Sequence, residues 1–376
     1  MNLNVNIETV GKLSEHKACI TKIIFSDDEN YILSSSLDNK VCLWNVNTHL
    51  HINTYKDVHK KGINDIALFR DNTKFFSAEF VPFLIYYTLH NTKYVYLWDT
   101  LSNKILNRIN VNDKINVIRL STNEKLLFCS KNNAVNIYDF RERDFKKKNN
   151  PLQIFNEAKD WISDFIVDDF EVYTCSIDNI LRIYDLRMGK LMSYDMKSSI
   201  LSIDITNDKN YFCVNLIDNT IKLVEKNSGT VLGLYKGDIN NKHKRNIKLD
   251  TKNKYIFSCS HKNEIVVYDI VRSNTINNTI FYENLEYEED LDIYKNTYFQ
   301  LNIGKPTYYL NVNKNILPEN SYIDREKYKS ILNKYKYYGK KKKDIDSSDK
   351  DFQNINNKLV CGDIDGNIHI LQLYYT

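Results

Sequence analysis

Apolar and polar residues alternate in short runs along most of the chain, and the runs end at Asn, Asp or Gly. Period-2 patterning of this kind predicts β-strands joined by tight turns, not helices. One run recurs. Val41-Cys42-Leu43-Trp44-Asn45 returns as Val95-Tyr96-Leu97-Trp98-Asp99, Val135-Asn136-Ile137-Tyr138-Asp139 and Leu181-Arg182-Ile183-Tyr184-Asp185. It returns again as Ile221-Lys222-Leu223-Val224-Glu225, as Ile265-Val266-Val267-Tyr268-Asp269 and, more weakly, as Ile368-His369-Ile370-Leu371-Gln372. In every copy the first and third residues are β-branched or Leu, so they share a face, and half-buried strands are expected.

The turn ahead of each strand repeats as well. Five residues before the last apolar position stand Asn39, Asn133, Asn179, Asn219, Asn263 and Gly366, preceded by an acid at Asp38, Asp178, Asp218 and Asp365. Asp-Asn and Asp-Gly suit a two-residue type I′ hairpin, in which both central residues hold a positive φ. The closing residue recurs at Trp44, Trp98, Tyr138, Tyr184, Val224 and Tyr268, mostly at the spacing of about 40 to 45 residues typical of four-stranded blades. Seven such units predict one all-β domain over residues 1–376, a seven-bladed β-propeller of the WD-repeat type. The stretch Leu3-Asn4-Val5-Asn6-Ile7 is expected to supply the outer strand of the last blade, so that the N-terminal strand closes the ring.

The first unit carries His16 before its first strand, Ser34 and Ser36 on one strand face, Asp38 in the turn and Trp44 at the close. This set resembles the signature of WD repeats. The resemblance implies a buried hydrogen-bond chain tying outer strand to inner hairpin, with structural roles for these five residues and for His59, Trp98, Asp178, Asp218 and Asp365. A Ser-His-Asp set also raises the hydrolase triad. The spacing is that of the structural chain, and the sequence has no Gly-x-Ser-x-Gly elbow. It has no glycine-rich phosphate loop and no Cys/His group at zinc spacing, so no catalytic, cofactor or metal residue is expected.

The repeat is interrupted in three places. Residues 80–92, which begin with the apolar Phe80 to Leu89, stand where a short turn belongs in blade 2. They read as a partner-gripping patch, as a long hairpin tucked over the propeller, or as a product of a wrong gene model. Residues 272–305 read as a charged connection between blades 6 and 7 and hold the acidic run Leu285 to Asp292. Blade 7 is expected to be split: Pro306 to Val312 as its first inner strand, Lys358 to Gly362 as the next, and a Lys/Tyr-rich insertion over 314–356. Charge blocks of this kind favour solvated loops. Lys340-Lys341-Lys342-Lys343 fits such a loop, a nuclear import signal or a contact to RNA phosphates.

Composition adjusts this picture only slightly. Hydrophobic residues make 42% of the chain and charged residues 27%, the balance of an ordinary globular protein. With Gly at 10 and Pro at 4, Asn must serve many of the turns. A net charge of +4 is too mild to imply nucleic-acid binding by itself. Seven cysteines without a Cys-x-x-Cys pair, most of them within apolar runs, are expected to be buried thiols in a reducing compartment, nucleus or cytoplasm. No signal peptide is visible and the longest apolar run is too short for a bilayer, so a soluble protein without membrane contact is expected.

A narrower likeness runs from about Pro151 to Val271. Asn156-Glu157-Ala158-Lys159-Asp160, Tyr184 to Leu191, Ser228 to Gly237, Asn246-Ile247-Lys248-Leu249-Asp250 and Phe257-Ser258-Cys259-Ser260 resemble the mitogen-activated protein kinase organizer family, WD-repeat scaffolds also found with the spliceosome. That family also lacks an aromatic at the closing position of blade 5, where this chain has Val224. The resemblance implies a non-catalytic scaffold, monomeric within a larger complex, whose partners are spliceosomal components or signalling kinases. A different class stays open, the substrate receptor of a cullin-RING ubiquitin ligase. There Arg141 and Arg187, in Tyr138-Asp139-Phe140-Arg141 and Tyr184-Asp185-Leu186-Arg187, would be the protein-binding residues. The alternative for both is an arginine paired with carboxylates at an exposed blade corner.

Overall fold

The structure, a computed structural model, describes residues 5–79, 94–111, 114–141, 150–236, 246–250, 253–259, 265–270, 275–276, 300–303, 357–363 and 365–375. After β1 (Val5–Ser14) come six four-stranded sheets. Blade 1 is β2 (Ile20–Phe25), β3 (Tyr31–Ser36), β4 (Val41–Asn45) and β5 (His51–Tyr55). Blade 2 is β6 (Ile63–Leu68), β7 (Lys74–Glu79), β8 (Tyr94–Asp99) and β9 (Ile105–Asn110). Blade 3 is β10 (Ile115–Leu120), β11 (Leu126–Lys131), β12 (Ala134–Asp139) and β13 (Gln153–Phe155). Blade 4 is β14 (Ile162–Val167), β15 (Glu171–Ser176), β16 (Ile180–Asp185) and β17 (Leu191–Asp195). Blade 5 is β18 (Ile200–Ile205), β19 (Tyr211–Leu216), β20 (Thr220–Glu225) and β21 (Val231–Lys236). Blade 6 is β22 (Ile247–Leu249), β23 (Tyr255–Cys259), β24 (Ile265–Asp269) and β25 (Thr275–Ile276). The seventh sheet joins both ends of the chain: β26 (Gln300–Ile303), β27 (Asn357–Gly362), β28 (Asn367–Tyr375) and, outermost, β1.

The innermost strands meet in sequence, β2 to β6, β10, β14, β18, β22 and β26, and β26 returns to β2, so the ring is closed. Closure rests on an antiparallel ladder from Val5↔Tyr375 to Ser14↔Asn367, broken by one bulge between Thr9 and Gly11. It pairs an otherwise open edge. The protein is an all-β seven-bladed propeller, and no helix occurs among the described residues. The chain divides into two compact units, Met1–Lys305 with Asn356–Thr376 and Pro306–Ile355. The propeller is the first of these; the second lies outside the described residues.

The cores lie between blades. Trp44 shares an apolar cluster with Val360, Ile368 and Ile370 of blade 7, and Trp98 one with Leu33 and Val41 of blade 1. Tyr138, Tyr184, Val224 and Tyr268 each pack in the same way on the blade before. This sandwiching corrects the half-buried expectation. Cys42, Asn136 and Arg182, on the face expected to be exposed, are buried too, because each blade is covered on both sides.

The turns also differ from type I′. Asn39, Asn179, Asn219 and Gly366 hold φ of 69°, 72°, 67° and 89°, while Asp38, Asp178 and Asp218 stay out of the left-handed region. Those acids act through their side chains: Asp38, Asp178 and Asp218 accept the N–H of Lys40, Ile180 and Thr220 at 3.0, 3.0 and 3.1 Å. One left-handed Asn and one side-chain acceptor do the work assigned to two positive-φ residues. In the β11–β12 hairpin the left-handed residue is Asn132, not Asn133, and Asn263 lies outside the described residues.

In the last blade the strand beside β27 is Gln300–Ile303, not the expected Pro306 to Val312. The short alternation Gln300-Leu301-Asn302-Ile303 was overshadowed by the longer aromatic run after it. Residues 272–305 therefore contain β25 and β26. The stretches 80–92 and 314–356, together with Pro306 to Val312, lie outside the described residues.

Candidate functional site

The loop that leaves β1 delivers His16 to blade 1. Its Nδ1 lies 3.0 Å from Asp38 Oδ2 and its Nε2 lies 2.9 Å from Ser34 Oγ, onto which Trp44 donates its indole N–H at 2.8 Å. Asp38 also accepts the N–H of Lys17 at 3.0 Å. Ser36 donates to the Ala18 carbonyl at 2.8 Å and accepts the Asp38 N–H at 3.2 Å. The chain Trp44–Ser34–His16–Asp38 ties the loop after the outer strand of blade 7 to the inner hairpin of blade 1. Burial pushes the Asp38 carboxyl up, but the His16 hydrogen bond and charge and the two backbone N–H groups hold it below its ordinary value. Ser34 is fully buried and its oxygen is already taken by Trp44, so this triad-like set presents no nucleophile to a substrate.

Blade 2 keeps half of the chain. His59 Nε2 lies 2.7 Å from Ser77 Oγ, and Trp98 donates to the same oxygen at 2.8 Å. His59 Nδ1 is buried with no partner among the described residues. Burial drives the imidazole down to about 4, so it is neutral. The register of Asp38 falls within 80–93; Glu79, at the register of Ser36, instead accepts the N–H of Lys60 and Lys61 at 3.2 and 3.3 Å.

Blade 4 replaces the histidine. Ala158 occupies the loop position, and Arg182, reaching from the closing strand, grips Asp178 with Nη1 at 3.1 Å and Nη2 at 2.7 Å. Asp178 still caps the Lys159 N–H at 2.9 Å, as Asp38 caps Lys17. Blade 5 has no such chain: Val214, Leu216 and Val224 fill it with apolar side chains, and Asp218 is an exposed turn residue. In blade 7 Asp365 is exposed too. The partly buried acid of that turn is Asp363, which lies 3.2 Å from His369 Nε2 and accepts the Asn367 N–H at 2.7 Å.

The two candidate arginines sit at neighbouring blade corners. Arg141 clasps Asp139 through Nε at 3.0 Å and Nη2 at 2.6 Å, and Arg187 lies 4.1 Å over the Phe170 ring. Both side chains remain more than half exposed, at 54% and 60%. Asp139 and Asp185 also cap the N–H of Arg141 and Arg187, which explains the acid that ends these two repeats.

Two arrangements escaped the sequence reading. Tyr55 and Tyr235, on outer strands, donate to the Thr100 and Ile270 carbonyls of the next blade at 2.8 and 2.7 Å. Each pairs with the first apolar residue of its closing strand, Val41 and Ile221, a register visible once the strands are aligned. The inner strands also carry charges toward one another. Asp65 accepts Arg119 Nη1 at 2.8 Å and the Ile118 N–H at 2.9 Å; Asp164 accepts Arg119 Nη2 at 3.0 Å; Asp204 accepts Lys248 Nζ at 3.0 Å and the Leu249 N–H at 2.8 Å. A lone charge in an apolar strand reads as a solvent-facing residue, so the sequence hid this ring. No metal-holding group of His, Cys, Asp or Glu occurs among the described residues. Among the described residues six cysteines are buried and outside any disulfide, and burial pushes the Cys42 thiol up to about 12. No helix among the described residues is long and apolar enough to cross a membrane.

Ring and repeated hairpin together define a seven-bladed β-propeller, and the buried chain of blade 1 is of the WD-repeat kind. Residues 7–45 match the WD domain, G-beta repeat family. Along 325 residues the chain is 28% identical to the WD repeat domain-containing protein 83 homolog of Dictyostelium discoideum, covering 78% of this chain and 95% of that protein. It is 33% identical over 128 residues to WD repeat domain-containing protein 83 of Rattus norvegicus and 32% over 121 residues to that of Homo sapiens. These two matches cover 34% and 32% of this chain but only 41% and 38% of the mammalian proteins.

Proposed function

We propose that this protein is a non-catalytic scaffold that holds other proteins together in pre-mRNA splicing, in the nucleus as well as the cytoplasm. The observation that carries the reading is the similarity to the Dictyostelium protein along 95% of that protein's length, joined to the local likeness to the mitogen-activated protein kinase organizer family. A rigid ring with two faces and a rim offers several partners a surface without pocket chemistry. Scaffolding of a mitogen-activated protein kinase cascade is the second reading, supported by the same likeness. The cullin-RING receptor reading has weaker support, because Arg141 is already clasped by Asp139.

Tagged protein purified from nuclear extract should bring down spliceosomal proteins and small nuclear RNAs. Recovery of kinases without either would replace splicing by the cascade. If ligase adaptor is recovered, and is lost on Arg141→Glu with Arg187→Glu, the receptor reading takes over.

A further inference from the structure

The outer strand of a blade leaves one row of backbone N–H and C=O groups with no strand beside it, an edge that invites another chain unless charge, proline or shortness blunts it. Several outer strands here are blunted in those ways. β1 carries the exposed Lys12, β9 Arg108 and β17 Asp195, while β13 is three residues long and follows Pro151. β5 lacks such residues but is polar, and none of its large apolar side chains is exposed. β21 differs. It pairs only with β20 among the described strands, and Val231-Leu232-Gly233-Leu234-Tyr235 holds neither charge nor proline. Val231, Leu232 and Leu234 are 49%, 56% and 42% exposed, and no other outer strand shows more than two such residues among the described side chains. The register puts these three on one face. Leu234 lies opposite Lys222 and Val231 opposite Val224, neighbours on one face of β20, and Leu232 is two residues from Leu234. The strand is also complementary to itself. Turned antiparallel about Gly233, two copies set Leu232 against Leu234 twice, the reciprocal contact that a two-fold interface demands. A shift of one residue either way sets Gly233 against a leucine and loses both pairs. The charges agree with the same register: Lys236 falls opposite Thr230, whose hydroxyl lies 3.3 Å from the Glu225 carboxylate.

We propose that β21 is a self-pairing edge, through which two copies of this chain join their blade 5 sheets antiparallel about Gly233. The pairing departs from the monomer that the family likeness implies. It is independent of the scaffold reading, so its failure leaves that reading untouched. Five facing residues bury well under the ~1,000 Å² of a stable interface, so the dimer is weak, with Kd on the order of 10–100 µM.

Sedimentation equilibrium of the full chain, from roughly 1 µM to roughly 500 µM, tests it. A reversible rise from 44.4 kDa toward twice that mass is expected. Leu234→Lys, at an exposed site outside the core, should raise Kd by at least ~10-fold, because it sets two lysines beside the dyad. Leu106→Lys, on the blade 2 edge and equally exposed, should leave Kd unchanged. Adding Leu232→Glu to Leu234→Lys places opposite charges across the same register and should restore most of the association. Association that Leu234→Lys leaves intact, loss with Leu106→Lys alike, or a double variant no tighter than Leu234→Lys would overturn the proposal. So would a monomer at every concentration; if Leu234→Lys then strips a protein from the affinity-captured set, the edge belongs to a partner's strand instead.

Discussion

Removing the carboxylate from blade 1 isolates the hydrogen-bond chain. Asp38 lies outside the left-handed region, so Asp38→Ala introduces no backbone strain. It deletes the acceptor of His16 Nδ1 and of the Lys17 and Lys40 N–H groups. The two backbone donors are near solvent and each costs about 0.5–1.5 kcal/mol. The His16 side chain is fully buried, so its orphaned nitrogen adds about 1.5–3 kcal/mol. The sum is a loss of about 2.5–6 kcal/mol. Urea unfolding of Asp38→Ala, His16→Leu and the double variant reads it, provided m is unchanged. If the chain is what holds the loop, Asp38→Ala costs only the backbone part, about 1–3 kcal/mol, once His16 is already Leu, a coupling of about 1.5–3 kcal/mol. A loss below ~1 kcal/mol in the parent, or the same loss in both backgrounds, would refute the reasoning.

The remaining predictions rest on other blades. His59 is held at about 4 against an ordinary 6.5, so between these values the unfolded chain binds a proton that the fold refuses. Its contribution is complete above pH 6.5 and lost as pH falls toward 4, at ~1.4 kcal/mol per unit and about 3 kcal/mol in all. Urea midpoints at pH 7.5 and 4.5 should show a drop that His59→Gln reduces. Arg182→Met leaves Asp178 in a buried site with backbone donors alone and should cost about 3 kcal/mol, measured by thermal unfolding. Gly366→Ala should cost ~1–3 kcal/mol and speed hydrogen exchange in β1 and β28, because the residue sits at φ 89° and a Cβ would stand 2.5 Å from the His16 carbonyl oxygen.

The ring was legible because its repeat combines strand period, turn residue and closing aromatic at a fixed spacing. Even Val224, with no aromatic, is located by Asp218-Asn219 ahead of it. The blade 1 set was legible for the same reason, each residue lying at its own register. Substitutions across space were not. Arg182 takes over from a loop histidine, and Asp363 rather than Asp365 meets the blade 7 histidine, because a partner can arrive from a different strand at a different sequence offset. The axial charges were invisible because their partners lie one blade away, Asp65 on Arg119 and Asp204 on Lys248. Gln300–Ile303 was missed because a strand of four residues carries too little pattern to compete with the apolar and aromatic run after it.

The scaffold proposal makes one claim above all, that the protein lives in assemblies with other proteins. The direct measure is the native mass of the tagged protein in fresh, undiluted nuclear and cytosolic extracts, by size exclusion with light scattering after gentle affinity capture. Migration well above the 44.4 kDa of the free chain, with a reproducible set of proteins at comparable amounts, is the expected result. A lone 44.4 kDa species in both extracts would contradict the scaffold assignment.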